Sequence, residues 1–209
     1  IDHGKVIARG TSDSLKKQVG GEKLEIIVEN QHINAVKEIV AKVSGNAVAV
    51  DESLRSISAP VTTGSKALIE AARIAGVRLT LLDVAYLHGG LNGEQLGDEQ
   101  RRFCDTTVEQ WLKRVKDLDT GNAMHSIGLA PHSVRAVHQA ELAQIAKYRN
   151  DRVVHIHVSE QPAENIACIK ATGRTPTQLL SDANLLGSFT TAVHATHLTT
   201  EDISLLGKS

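Results

Sequence analysis

The segment Val153-Val154-His155-Ile156-His157-Val158-Ser159-Glu160-Gln161 decides the fold. Its near-continuous β-branched run reads as a parallel strand buried on both faces. The strand ends in a histidine, and a carboxylate follows three residues later. In an α/β barrel, reactive groups collect at that end of the strand.

Working outward, the same alternation repeats on both sides. Ala67–Ala75 reads as a helix stopped by Gly76, and 77–84 as a strand. A glycine-rich loop at Gly89, Gly90 and Gly93 leads to a long helix with Phe103, Val108, Leu112, Val115 and Leu118 on its apolar positions, ending at Gly121. A strand over 126–130 runs into Pro131-His132-Ser133-Val134-Arg135, and a helix takes up 140–148. Beyond the opening segment come a helix around Ile166–Ile169, another starting at Thr175-Pro176, a strand over 190–194, and a short helix from about Thr199. Strand-helix alternation of this kind implies a parallel sheet with helices outside it. The expected fold class is α/β: a partial (β/α)8 TIM barrel showing four of eight strands, ending near Val84, Ala130, His157 and His194, preceded by a small α+β segment.

That first segment, residues 1–65, reads as a strand over 4–10, capping residues Thr11-Ser12-Asp13, a helix at 15–19 and a strand at 24–29. A helix carrying Ile33, Val36, Ile39, Val40 and Val43 follows, then strands at 47–50 and 56–61. Gly20-Gly21 reads as a turn, and His3 as a surface histidine. The expected domains are 1–65 and 66–209.

Composition narrows the function. Lys and Arg total 23 against 24 Asp and Glu, with no long basic run, which speaks against a nucleic-acid groove or an anionic membrane surface. No apolar run approaches the roughly 18 residues of a membrane helix. The two cysteines, Cys104 and Cys168, lack metal or redox spacing and read as reduced, buried thiols of a cytoplasmic protein. The chain opens at Ile1 without a methionine, which fits a piece cut from something longer. Eight of the 10 histidines lie beyond residue 80, raising the prior for a metal or acid-base site there.

Each constellation has two readings. Residues i and i+2 of a strand share a face, so His155 and His157 could serve one metal or simply be packed or exposed. Glu160 fits a proton carrier beside a reactive water, or an idle helix N-terminal acid. His194 fits an acid-base partner, or a hydrogen-bonded core histidine. Arg135, with His132 at another strand end, suits two-pronged carboxylate binding, or pairs with a neighbouring helix acid.

Two resemblances add to this reading. Residues 1–65, through the run IDHGKVIARGTSDSLKKQVG, resemble the tail of a daunorubicin-resistance-type ABC transporter ATPase. They contain no G-x-x-x-x-G-K-[ST] phosphate loop. Residues 66–206 resemble the formimidoylglutamate deiminases of the amidohydrolase superfamily. The likeness rests on Tyr86-Leu87-His88-Gly89-Gly90, Gln100-Arg101-Arg102-Phe103, Gly128 to Val137, His155 to Gln161 and Val193 to His197, in the family's order. The likeness implies hydrolytic deimination of N-formimino-L-glutamate to N-formyl-L-glutamate and ammonia, with zinc as cofactor and the small-molecule substrate as partner. It implies His157 as metal ligand, Glu160 and His194 as catalytic residues, and His132 and Arg135 as substrate-binding residues. His155 and His197 match family positions to which no role is given. It also places the family's first-strand histidine pair and eighth-strand aspartate before residue 66 and after 209, leaving one of four zinc ligands.

The expected function is therefore this deimination, impaired in the chain as it stands. The alternatives are a transporter-associated interaction module and a fusion fragment without function. A homo-oligomer is compatible with the sequence.

Overall fold

A computed structural model describes residues 22–209. The strand, caps, helix and turn expected before residue 22, and His3, lie outside the described residues. The chain divides into two compact units, one formed by residues up to Leu79 with Ala123–His125, the other by Thr80–Asn122 and Ser126–Ser209.

In the first unit, β1 (Glu22–Ile27), β2 (Ala49–Asp51) and β3 (Ser56–Val61) form an antiparallel sheet in the order β1-β3-β2. Helix α1 (Ile33–Ser44) carries the expected apolar stripe and ends at Gly45, whose φ of 62° is left-handed. Helix α2 (Gly64–Ala75) ends the same way at Gly76. Leu24, Val40, Ile57, Ala59, Val61, Ala67 and Ala71 make one buried cluster. These residues come from both strands and helices, so the α+β segment has a core of its own, which α2 helps to build.

The second sheet follows chain order: β4 (Leu79–Ala85), β5 (His125–Pro131), β6 (Val154–Val158) and β7 (Thr190–His194). The β5–β6 and β6–β7 pairs are parallel. Helices α3 (Val108–Leu118), α4 (Gln139–Tyr148), α5 (Pro162–Thr172) and α6 (Pro176–Asp182) make the crossovers, and α7 (Thr200–Gly207) follows β7. Sequential parallel strands joined through helices are one arc of a (β/α)8 barrel, as expected from the opening segment. Along β6, Val154, Ile156 and Val158 are buried while His155 and His157 are partly exposed, so the two histidines do share a face.

Two expectations are corrected. Phe103 does not belong to a long helix: Arg101–Phe103 is a separate 3-10 turn, and Phe103 is exposed. The helix begins only at Val108 because the Thr107 hydroxyl accepts the Gln110 N–H at 3.2 Å, a cap that breaks the periodicity. Cys104, in the segment between, is therefore exposed, whereas Cys168 is buried, and both thiols are free. Ile166 and Ile169 lie on α5 as expected but face outward. Among the described residues no helix is long and apolar enough to cross a membrane.

Candidate active site

The ends of β5, β6 and β7 bring His132, His157, Glu160 and His194 together. The His132 and His157 rings lie 4.9 Å apart between centroids, and His157 and His194 5.4 Å apart. The His132 carbonyl receives both the backbone N–H of His157 at 3.1 Å and its ring Nδ1 at 2.7 Å. A carbonyl only accepts, so Nδ1 carries the proton and the Nε2 lone pair is left free. A metal-ligating histidine is commonly oriented in this way.

Left-handed backbone builds the other two corners. Ser159, fully buried, has φ 51°, and the chain turns there to present Glu160. His194 has φ 69° and Ala195 φ 49°. The Ala195 N–H reaches the Val193 carbonyl at 3.1 Å, closing a γ-turn of the rare, strained kind centred on His194. Its effect follows from the register. His194 pairs with Val158, which points into the helix-covered core, so a regular strand would send His194 the same way. The turn swings the ring onto the His157 side instead, where His194 Nε2 lies 3.8 Å from Glu160 Oε1. His194 is thus not a core histidine. Three non-glycine residues at positive φ within one site mark stored strain, which clusters at functional centres.

Glu160 lies outside α5, whose N-cap is Gln161; the acid of the first helical turn is Glu164. Thr196 Oγ1 donates to the carbonyls of Ser159 and Glu160 at 3.0 and 3.1 Å, and the His197 N–H donates to Ser159. Arg135 is half-exposed, with Nε 4.0 Å from Glu164 Oε1, so the alternative of a helix-acid partner holds for one edge of its guanidinium. Burial of the His132 ring, with the His157 imidazole and the Arg135 guanidinium beside it, lowers its pKa to about 4, against a small opposing pull from Glu160. His132 is therefore neutral near pH 7 and stacks edge-on to Tyr86 at 4.7 Å.

A cavity of about 700 Å³ opens beside His132, lined among others by Val84, Tyr86, Gln100, Phe103 and Arg114. Gln100 donates to the Tyr86 hydroxyl at 2.9 Å. Arg114 bridges Asp83 and the buried Asp105, and Asp83 also accepts from Trp111 Nε1 at 2.8 Å. The two carboxylates hold the guanidinium charged, well above the usual arginine range against the cost of its burial. Sequence reasoning missed Tyr86 and Glu164 as parts of the site. Tyr86 follows a strand end, a position that could have singled it out.

Around His157 the described residues do not gather three metal donors. The group that comes near enough is His88, His138 and Glu141, whose donor atoms lie within 4.8 Å of one another. Its rings are stacked at 3.9 Å and only 6° from parallel. Their in-plane lone pairs run side by side and do not converge on one point, as a zinc site requires. Each group is also engaged: His88 with Glu141 at 2.7 Å, His138 Nε2 with the Gly90 carbonyl at 2.9 Å, and the second Glu141 oxygen with the His138 N–H. The cluster pins the glycine-rich loop to the start of α4.

Comparison with known proteins places this geometry. The chain is 33% identical over 192 residues to formimidoylglutamate deiminase of Pseudomonas aeruginosa, an alignment covering 90% of this chain and 42% of that protein. It is 42% identical over 74 residues to the daunorubicin resistance ATP-binding protein DrrA2 of Streptomyces coeruleorubidus, covering 35% and 23%. Among solved structures, an amidohydrolase from Brucella melitensis superposes with a TM-score of 0.62 and 34% identity over 71% of this chain and 34% of its own. An adenosine deaminase from Xanthomonas campestris with bound zinc gives 0.55 at 16% identity over 87% and 38%, a likeness of fold alone. The chain thus spans less than half the length of each of these proteins. The amidohydrolase family model matches residues 52–209, and the chain belongs to that family.

Proposed function

We propose that this chain carries the acid-base and substrate-binding part of a deiminase site that hydrolyses N-formimino-L-glutamate to N-formyl-L-glutamate and ammonia. The observation that carries it is the pairing of Glu160 with His194 at 3.8 Å, beside a His157 ring whose Nε2 is free. Glu160 is placed to take a proton from the attacking water and deliver it to the leaving nitrogen, and His194 to steady the charge that develops. Neutral His132 accepts or donates one hydrogen bond to the substrate. The two remaining nitrogens of Arg135 offer a fork for a substrate carboxylate, which a neutral nucleoside lacks.

His157 Nε2 fits one zinc ligand; zinc, when bound, supplies a water acidic enough to react near neutral pH. The described residues do not complete a four-donor set at that nitrogen, so among them the family's metal finds only part of its coordination. The test is ammonia release from N-formimino-L-glutamate, with adenosine as the contrasting substrate, in zinc-supplemented chain and in E160Q. Release from the first substrate, abolished by E160Q, supports the reading; the opposite substrate preference sinks it. A second reading draws on the DrrA2 likeness and the separate core of the first unit: a transporter-associated module at 1–65. Absence of binding between the full chain and an ABC ATPase dimer in sedimentation would remove it.

A further inference from the structure

Among the described residues, Glu164 is the one buried carboxylate that touches two parts of the proposed site. Its side chain is 7% exposed. From the first turn of α5 it reaches back past the helix cap, and Oε2 accepts the backbone N–H of Glu160 at 2.9 Å. Its other oxygen, Oε1, faces Arg135 Nε at 4.0 Å. The Glu160 backbone is then fixed on both sides, by Glu164 at its N–H and by Thr196 at its carbonyl. Only the Glu160 side chain is left to move, toward His194.

A helix-capping role alone does not account for this. A carboxylate at the third helical position ordinarily returns to the cap residue, here Gln161. Glu164 instead binds the residue before the cap, the proton carrier itself, while its free oxygen turns to the guanidinium. At 4.0 Å the Glu164 charge faces the Nε edge of Arg135, which leaves the two terminal nitrogens as the ones to offer a ligand.

We propose that Glu164 is a positioning residue that sets the spacing between the proton-carrying Glu160 and the carboxylate-binding Arg135, and thereby selects a substrate whose carboxylate lies at a fixed reach from its reacting carbon. The proposal rests on the function argued above for Glu160 and Arg135. Its chemistry calls for an acidic, amino-acid-like substrate in preference to a neutral one.

The test uses the full chain and two readouts. The first is amide hydrogen exchange at Glu160, which needs no ligand. E164Q keeps an oxygen for the Glu160 N–H and should leave its exchange near that of the parent. E164A removes the acceptor and should speed it about tenfold or more, the loss of one charge-assisted hydrogen bond. The second is binding of N-formyl-L-glutamate by calorimetry: E164Q and E164A should both weaken it about three- to tenfold, as expected for a misdirected ion-pair partner. Unchanged Glu160 exchange in E164A overturns the positioning role. Unchanged affinity in E164Q overturns the link to Arg135. Should E164A not fold, the temperature coefficient of the Glu160 amide proton in the parent decides: a small coefficient marks the hydrogen-bonded N–H, and one typical of a solvent-exposed amide refutes the contact. Failure of the functional reading looks different, because there R135A would leave N-formyl-L-glutamate binding unaltered, or the parent would not bind it, while the exchange result still stands.

Discussion

Replacing His194 by glycine should leave the chain more stable than replacing it by alanine, a reversal of the usual order within a strand. The left-handed region costs an L-residue about 1–2 kcal/mol through the clash of Cβ with the following carbonyl. His194 occupies it at φ 69°. Glycine escapes that cost but forfeits about 0.5–1 kcal/mol of additional unfolded-state entropy. The difference leaves H194G ahead of H194A by about 0.5–1 kcal/mol. Both variants lose the contact with Glu160, which is exposed and worth little, so it cancels from the comparison. At 2–4 °C per kcal/mol for a chain of this size, the gap is about 1–4 °C in Tm. Urea unfolding measures it, and the neighbouring Val193 is the control, since φ there is not positive and V193G should fall below V193A by about 0.5–1 kcal/mol. If H194A matches or exceeds H194G, the γ-turn stores no strain and the account of how His194 is turned toward Glu160 fails.

Other expectations follow from single contacts. Arg114→Met leaves the Asp105 carboxylate buried without its partner, and the cost should be about 2–3 kcal/mol in denaturant unfolding, below that of a fully buried pair because Arg114 is itself about half exposed. Gly128→Ala should cost about 1–3 kcal/mol by the same measurement, since a Cβ there would meet Leu82 and Val153 side-chain carbons at 2.7 Å. In the metal-free chain, ring NMR should show His132 uncharged until the pH nears 4. Its folded pKa lies below the ordinary value, so its contribution to stability is complete above about pH 6.5 and is lost as the pH falls through 4; a ring midpoint between 6 and 7 would contradict the buried setting.

The parts of the fold that were legible in the sequence are those in which one signal dominates. Val153 to Val158 reads as a buried strand because nothing polar interrupts it except the two histidines, and β6 lies there. The stretch around Phe103 failed for the opposite reason. At five positions ahead of Val108, Phe103 falls outside the i, i+3, i+4, i+7 spacing of a helical stripe, and the cap at Thr107 is a single hydroxyl that hydrophobic periodicity cannot see. At the site, residue types at strand ends pointed to His132, His157, Glu160 and His194, which the structure brings together. The backbone conformations that aim two of them were invisible, since Ser159, His194 and Ala195 adopt positive φ without a glycine to announce it. Glu164 drew no reading of its own from the sequence. Its place two residues after Pro162, which marks the helix start, was the available clue that its side chain would turn back toward Glu160.

What holds the site in shape bears on what the metal contributes. His157 is oriented by the backbone carbonyl of His132, Glu160 by Glu164 and Thr196, and His194 by a backbone turn. All of these contacts are made by residues 132–197. The placement of these side chains is thus fixed by local hydrogen bonds and a strained backbone turn. On the proposed reading, His157 Nε2 would hold zinc and the metal would supply the reactive water, while Glu160 and His194 are aimed by protein contacts. On the reading proposed above, the 3.8 Å contact between Glu160 and His194 should therefore persist in the metal-free chain, because each side chain is aimed by its own backbone.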